Sequence, residues 1–220
     1  MITDNISPVA YFHSPLKAKF GIPRQSGVVD SLEGDIVFEK PFDNEEAVRG
    51  LEEFDYLWIV WLFSENHYDG HSMTVRPPRL GGNERVGIFA SRSPFRPNNI
   101  GLSCVRIKEV KAGRITVLGA DLMDGTPILD VKPYIAYCDS HPDARSGFTD
   151  THEWQPLLVT LADGLNVPRG LDLTTVTQLL SQDPRPHYHH DGERIYGMPF
   201  GRWDVRFRVR DNTIEITEIL

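Results

Sequence analysis

Between Ser91 and Ser103 the chain reads Ser-Arg-Ser-Pro-Phe-Arg-Pro-Asn-Asn-Ile-Gly-Leu-Ser, and its chemistry is concentrated there. Pro94 and Pro97 restrict the backbone, so Arg92, Arg96, Asn98 and Asn99 can be held in place at low entropic cost. An asparagine amide carries a donor and an acceptor, as reading an adenine edge requires. An arginine grips a carboxylate with two parallel N–H groups. A ligand with an adenine at one end and an amino acid at the other, such as adenosylmethionine, needs both.

Two further segments add polar groups. Asp121 to Tyr134 reads Asp-Leu-Met-Asp-Gly-Thr-Pro-Ile-Leu-Asp-Val-Lys-Pro-Tyr, with a turn at Asp124-Gly125 and carboxylates at Asp124 and Asp130 suited to a ribose hydroxyl or an amino group. Pro23 to Gly27 (Pro-Arg-Gln-Ser-Gly) is a short turn bearing an amide and a hydroxyl. Taken singly, Pro-, Gly- and Asn-rich stretches are ordinary loops. The 91–103 block carries more fixed polar groups than a surface turn requires.

The elements that must position these loops read mainly as short strands. Extended pieces are expected at 35–38, at the apolar run Leu57–Phe63 as a buried central strand, at 86–90, and at 102–110 turning through Ala112-Gly113 into 115–118. A helix is expected over 44–51, with Asp43 as its cap and Glu46 completing a capping box. Short strands without βαβ alternation argue for a barrel rather than a Rossmann sheet, and no GxGxxG follows a strand. The expected architecture is a mainly β barrel domain over 1–165, followed by a small α+β domain over 166–220. The latter has a helix at 171–181 and a hairpin in which Trp203, Val205, Phe207 and Val209 alternate with Asp204, Arg206, Arg208 and Arg210.

With 220 residues, 40% hydrophobic and 25% charged, the composition is that of an ordinary globular protein. No apolar run reaches the ~20 residues of a membrane helix, and Met1 to Ala10 lacks the pattern of a secretory signal. Cys104 and Cys138 have no metal-ligand spacing, which points to a reducing compartment, the cytoplasm, and to no structural metal. The formal charge is −8, but Arg76 to Arg114 holds nine basic residues against Glu84 and Glu109. Such segregation suits a basic face on an acidic protein.

The blocks Pro23–Gly27, Glu52–Phe63 (EEFDYLWIVWLF), Arg85–Ser103 (RVGIFASRSPFRPNNIGLS), Asp121–Tyr134 and the C-terminal DPRPHYHHD…YGM together resemble the TrmO-type tRNA methyltransferases, nearly end to end. The resemblance implies a single-sheet β-barrel methyltransferase that works as a homodimer and uses S-adenosyl-L-methionine as methyl donor. The implied substrate is the N6 atom of threonylcarbamoyladenosine at position 37 of tRNA, threonine tRNA in the first instance. It implies that the donor is held by Gln25, Ser26, Gly27, Asn66, His67, Arg92, Leu102, Leu122, Met123, Asp124 and Gly125. One departure is Tyr188-His189-His190, richer in histidine than the family pattern.

Methyl transfer from a sulfonium is an in-line displacement in which the protein chiefly aligns the partners. Asp124, Asp130, Tyr134 and His67 are the candidate bases, and none stands out, so positioning is expected to dominate. Arg76, Arg79, Arg96, Arg206 and Arg208, with Arg210, are candidates for tRNA backbone contact. Two other readings are a non-enzymatic adenosylmethionine- or nucleotide-binding regulator, and a metal site at His187, His189, His190 and Asp191. Adjacent histidines in a polar loop are more often solvated than ligating.

Overall fold

The computed structural model describes residues 6–66, 70, 72–77, 85–151, 155–185 and 191–220. Strands β1 (Ala10–His13), β2 (Glu33–Phe38), β3 (Tyr56–Leu62), β4 (Thr74–Val75), β5 (Val86–Gly87), β6 (Ile100–Lys111), β7 (Arg114–Leu118) and β8 (Pro127–Pro133) make up the first part. Six of them close into a barrel in the order β1-β2-β7-β6-β3-β8, every pairing antiparallel. Closure leaves no unpaired strand edge, which suits a sheet assembled from short, apolar strands. β4 and β5 form a separate two-stranded ribbon.

The wall has one interior face, and period-2 alternation fills it. Leu57, Ile59 and Trp61 of β3 point inward, joined by Phe12, Ile36, Val105, Ile115, Val117, Leu122 and Ile128. The run Leu57–Phe63 was expected to be buried throughout, but the outward side chains of Trp58, Val60 and Leu62 are only half-buried. Gly101 faces Trp61 across the β3–β6 ladder, and a Cβ there would come within 2.3 Å of the indole ring. The absence of a side chain at 101 lets the indole lie against the backbone and fill the barrel end.

Two expected elements differ. Helix α1 spans only Glu45–Val48, and Asn44 rather than Asp43 caps it, its Oδ1 accepting from the Ala47 N–H at 3.1 Å. Gly50, at φ +84°, breaks the helix, and Leu51–Glu53 form a separate 3-10 turn. The strand expected over 86–90 stops after β5, and Ile88–Ala90 wind into a 3-10 turn that buries Ile88 and exposes Phe89. Helix α2 (Ala136–Asp139) follows β8.

The second part has a four-stranded sheet in the order β10-β11-β12-β9: β9 (Leu158–Leu161), β10 (Tyr196–Phe200), β11 (Trp203–Arg210) and β12 (Thr213–Ile219). β9, upstream of residue 166, pairs in parallel with β12, so this sheet draws one strand from the preceding segment. Helix α3 (Leu173–Ser181) is capped by Asp172, which accepts from the Thr175 N–H at 3.0 Å, and it buries Val176, Leu179 and Leu180 against Phe207, Val209, Ile214 and Ile216. Among the described residues no helix is long and apolar enough to cross a membrane.

The core of the second sheet also takes in Leu16, Val29 and Leu32, with Phe20 and Ile22 packed against it. These residues lie on the long connection between β1 and β2. Each large side chain buried this way contributes about 1.5–3 kcal/mol relative to exposure. Polar ties reinforce the contact: Thr175 Oγ1 donates to Ser31 Oγ at 2.7 Å, and Ser31 Oγ donates to Gln178 Oε1 at 2.7 Å. The second unit therefore grips the connection between the first two barrel strands.

Substituting Gly101→Ala forces a methyl into the Trp61 ring and is expected to cost about 1–3 kcal/mol, as overpacking does. A thermal melt of the variant within error of the wild type would show that the indole can move aside freely.

Candidate functional site

Residues 14–32 leave the barrel wall, bury Leu16, Val29 and Leu32 in the second core, and present Gln25, Ser26 and Gly27 at a turn. Gly27 takes φ +79°, and its N–H donates to the Gly119 carbonyl at 2.8 Å. Gly119 is also left-handed at φ +79°, and a Cβ on it would sit 3.3 Å from the Gly27 Cα. Two backbones thus meet where neither could carry a side chain without strain. From the other side, Arg92 Nη1 donates to Gln25 Oε1 at 2.5 Å. One hydrogen-bonded group thereby unites the 25–27 turn, the 91–99 loop and the loop after β7.

The 91–99 loop is locked by its own side chains. Arg96 Nη1 donates to the carbonyls of Ser91 at 3.0 Å and Ser93 at 3.4 Å. Asn99, at φ +48°, donates through Nδ2 to Asn66 O at 3.0 Å and Pro94 O at 3.2 Å, while its carbonyl accepts from the Phe63 N–H at 2.8 Å. Asn66 is thus strapped beside the loop by its backbone. His67 and Arg79 lie outside the described residues.

The loop 119–126 is fixed at both ends. Leu122 is fully buried in the barrel. Asp124 Oδ1 accepts from the Ser14 N–H at 3.1 Å and lies 3.3 Å from His13 Nδ1, and the Gly125 N–H donates to Phe12 O at 2.7 Å. Met123 O accepts from the Thr126 N–H and hydroxyl, at 3.2 and 2.7 Å. The Asp124 carboxylate thus anchors the loop to the end of β1.

A residue the sequence reading did not single out lies at the centre. Asp121 Oδ1 accepts from Ser103 Oγ at 2.5 Å, and Ser103 Oγ accepts from Trp61 Nε1 at 3.0 Å. The Arg92 guanidinium and the Ser26 backbone N–H face the Asp121 carboxylate and favour its charged form. Burial pushes its carboxyl above the usual range, opposed by those hydrogen bonds and the Arg92 charge. The available signal was the inward phase of Ser103 on β6, a polar residue on an otherwise apolar interior face.

The other candidates sit elsewhere on the barrel. Leu102 and Asp130 both pair with Val60, one on either side of β3, and so share the outer face. Leu102 is exposed, and the Asp130 carboxylate is 2.7 Å from Lys132 Nζ. Tyr134 packs on Tyr56 and Trp58, with ring centroids 6.1 and 5.9 Å apart.

Three of the candidate RNA-contacting arginines, Arg206, Arg208 and Arg210, have acidic partners. Arg206 is 3.2 Å from Glu218 and 3.3 Å from Asp204, Arg208 is 2.5 Å from Glu215, and Arg210 is 2.6 Å from Glu193. Lys108 pairs with Glu33, and Lys111 lies 2.8 Å from Glu109. Arg76 and Arg85 are exposed and, among the described residues, carry no ion pair. Among the described residues no group of three His, Cys, Asp or Glu is arranged to hold a metal; His187, His189 and His190 lie outside them.

Comparison with known proteins gives this geometry a class. Residues 11–140 match the tRNA-methyltransferase O N-terminal domain and residues 163–220 the TrmO C-terminal domain. The chain belongs to the TrmO family. It is 41% identical to the tRNA (adenine(37)-N6)-methyltransferase of Escherichia coli K12, over 94% of each chain. It is 38% identical to a putative S-adenosylmethionine-dependent methyltransferase, RcsF, of Pseudomonas aeruginosa, over 99% of this chain and 98% of that one. The crystal structure of TrmO from Pseudomonas aeruginosa superposes with a TM-score of 0.81 at 31% identity, covering 100% of this chain and 99% of that one.

The raised Asp121 carboxyl has a consequence for stability. The folded protein holds this proton more tightly than the unfolded chain, so the group favours folding at low pH and loses that contribution as pH rises through its folded value. Wild type should therefore gain on Asp121→Asn as the solution is acidified from neutrality. Melting curves of the two proteins run in parallel at several pH values check this, and a constant offset would refute it.

Proposed function

We propose that this chain is an S-adenosyl-L-methionine-dependent methyltransferase acting on N6 of adenosine 37 in tRNA. In this reading it takes the threonylcarbamoyl-modified base, in threonine tRNA in the first instance. The observation that carries the reading is the convergence of Gln25–Gly27, Arg92 and the 119–125 loop in one hydrogen-bonded group at the barrel. Family membership and the activity named for the Escherichia coli relative support it.

The residues present suit the donor's chemistry. The part-exposed Met123 brings an apolar side chain, while Gln25, the part-exposed 25–27 turn and Arg92 bring the sparse polar groups that orient a ligand. When bound, adenosylmethionine supplies an activated methyl group. The chain's part is to hold the acceptor nitrogen in line and keep the loops from shifting. The carbamoyl substituent makes the N6 proton more acidic, so positioning can serve without a dedicated base. Asp124 is engaged by His13 and Ser14, and Asp130 by Lys132, which fits that reading. Arg76 and Arg85, which carry no ion pair among the described residues, and Arg92 are the side chains we assign to the tRNA backbone. A homodimer working in the cytoplasm completes the proposal.

Mass spectrometry of nucleosides from tRNA incubated with protein and adenosylmethionine tests the reaction. One added methyl on threonylcarbamoyladenosine, and none on tRNA lacking that group, is expected. Adenosylmethionine binding without methyl gain on either tRNA would favour a regulator instead. Affinity for tRNA should also fall steeply between about 50 and 200 mM salt. A flat response would exclude a phosphate-dominated interface.

A further inference from the structure

Asp121 is a partly buried carboxylate that the mechanism above does not use. Its surroundings fix how it must act. The Trp61 indole can only donate, so the Ser103 oxygen that receives it turns its own proton outward, to Asp121. Asp121 must accept there, and the Ser26 backbone N–H faces the same carboxylate and favours its charged form. A chain of defined polarity thus runs from β3 through β6 to Asp121, two residues beyond the Gly119 carbonyl that accepts from the Gly27 N–H at 2.8 Å. Arg92, which also contacts Gln25, is the charged side chain that acts on Asp121 from the facing loop.

We propose that Asp121 is a positioning residue for the methyl donor: held by Ser103 with Trp61 behind it, it fixes the segment whose Gly119 carbonyl accepts from the Gly27 N–H, and so sets the 25–27 turn against the barrel where Gln25 and Arg92 meet. This rests on the functional reading above, which puts the donor at that turn. Burying a carboxylate opposes folding, and a fold needing only shape at this point could use an apolar residue. Its two acceptor oxygens are what two facing donors require. An amide in the same place offers one acceptor and turns N–H groups toward a donor.

The test is Asp121→Asn, read by calorimetric titration with adenosylmethionine alone and by steady-state methyl transfer. The expected result is a Kd and a KM for adenosylmethionine raised about tenfold, the scale of one lost charge-assisted hydrogen bond, with kcat within about threefold of wild type. Ser103→Ala should move Kd the same way, and the double variant should be weaker than wild type by less than the product of the two single effects. Ser103→Thr, which keeps the hydroxyl, should restore binding relative to Ser103→Ala. Should Asp121→Asn fail to fold, Trp61→Phe leaves the carboxylate in place but removes the donor that orients Ser103, and should still weaken binding.

An unchanged Kd in Asp121→Asn, a loss confined to kcat, or an unchanged Kd in Trp61→Phe where that variant stands in, overturns the assignment while leaving the functional reading intact. A wild type that binds no adenosylmethionine overturns both.

Discussion

The connection between β1 and β2 is held from two sides, and the rest of the arrangement depends on it. Leu16, Val29 and Leu32 are buried in the core of the second sheet, and Thr175 and Gln178 of α3 bond to Ser31. Between those anchors, Gln25 and Gly27 bond to Arg92 and Gly119 of the barrel. A long exposed connection would ordinarily sample many conformations and lose that entropy on binding a ligand. Burial of its flanks settles the cost at folding. The second unit thereby serves the site without contributing any of its expected ligand-contacting residues.

Inside the barrel the balance between packing and polarity is tight. Gly101 gives its space to the Trp61 ring, and that ring then directs its single N–H at Ser103. A buried polar group is tolerable only when each of its donors and acceptors is met, and here the chain Trp61–Ser103–Asp121 meets them in sequence. Apolar filling and polar ordering therefore share one residue, which couples the shape of the barrel end to the placement of the turn.

Much of this was legible in the sequence where the pattern was local. The alternation in Trp203–Val209 and the Ala112-Gly113 turn each report their own environment, and each appears as expected. What the sequence did not disclose depends on register. Arg206 and Arg208 read as a basic stripe, yet pairing with β12 sets Glu218 and Glu215 beside them. Asp121 reads as one acid among several until β6 brings Ser103 beneath it. Capping at α1 shifted by one residue because Asn44 and Asp43 offer similar acceptors and only backbone direction chooses between them. Asp130 and Leu102 read as neighbours of the loops they precede or follow, whereas the closed wall turns both to the outer face.

The glutamate-covered arginines of β11 bear on how a large anion would approach. Each cross-strand pair cancels an arginine charge, so that strand offers a polyanion little net attraction. Among the described residues, Arg76, Arg85, Arg92 and Arg106 are exposed and carry no ion pair. An uneven distribution of cancelled and uncancelled charge exerts a torque on an incoming polyelectrolyte during diffusion, and so favours encounters that arrive at the uncancelled arginines.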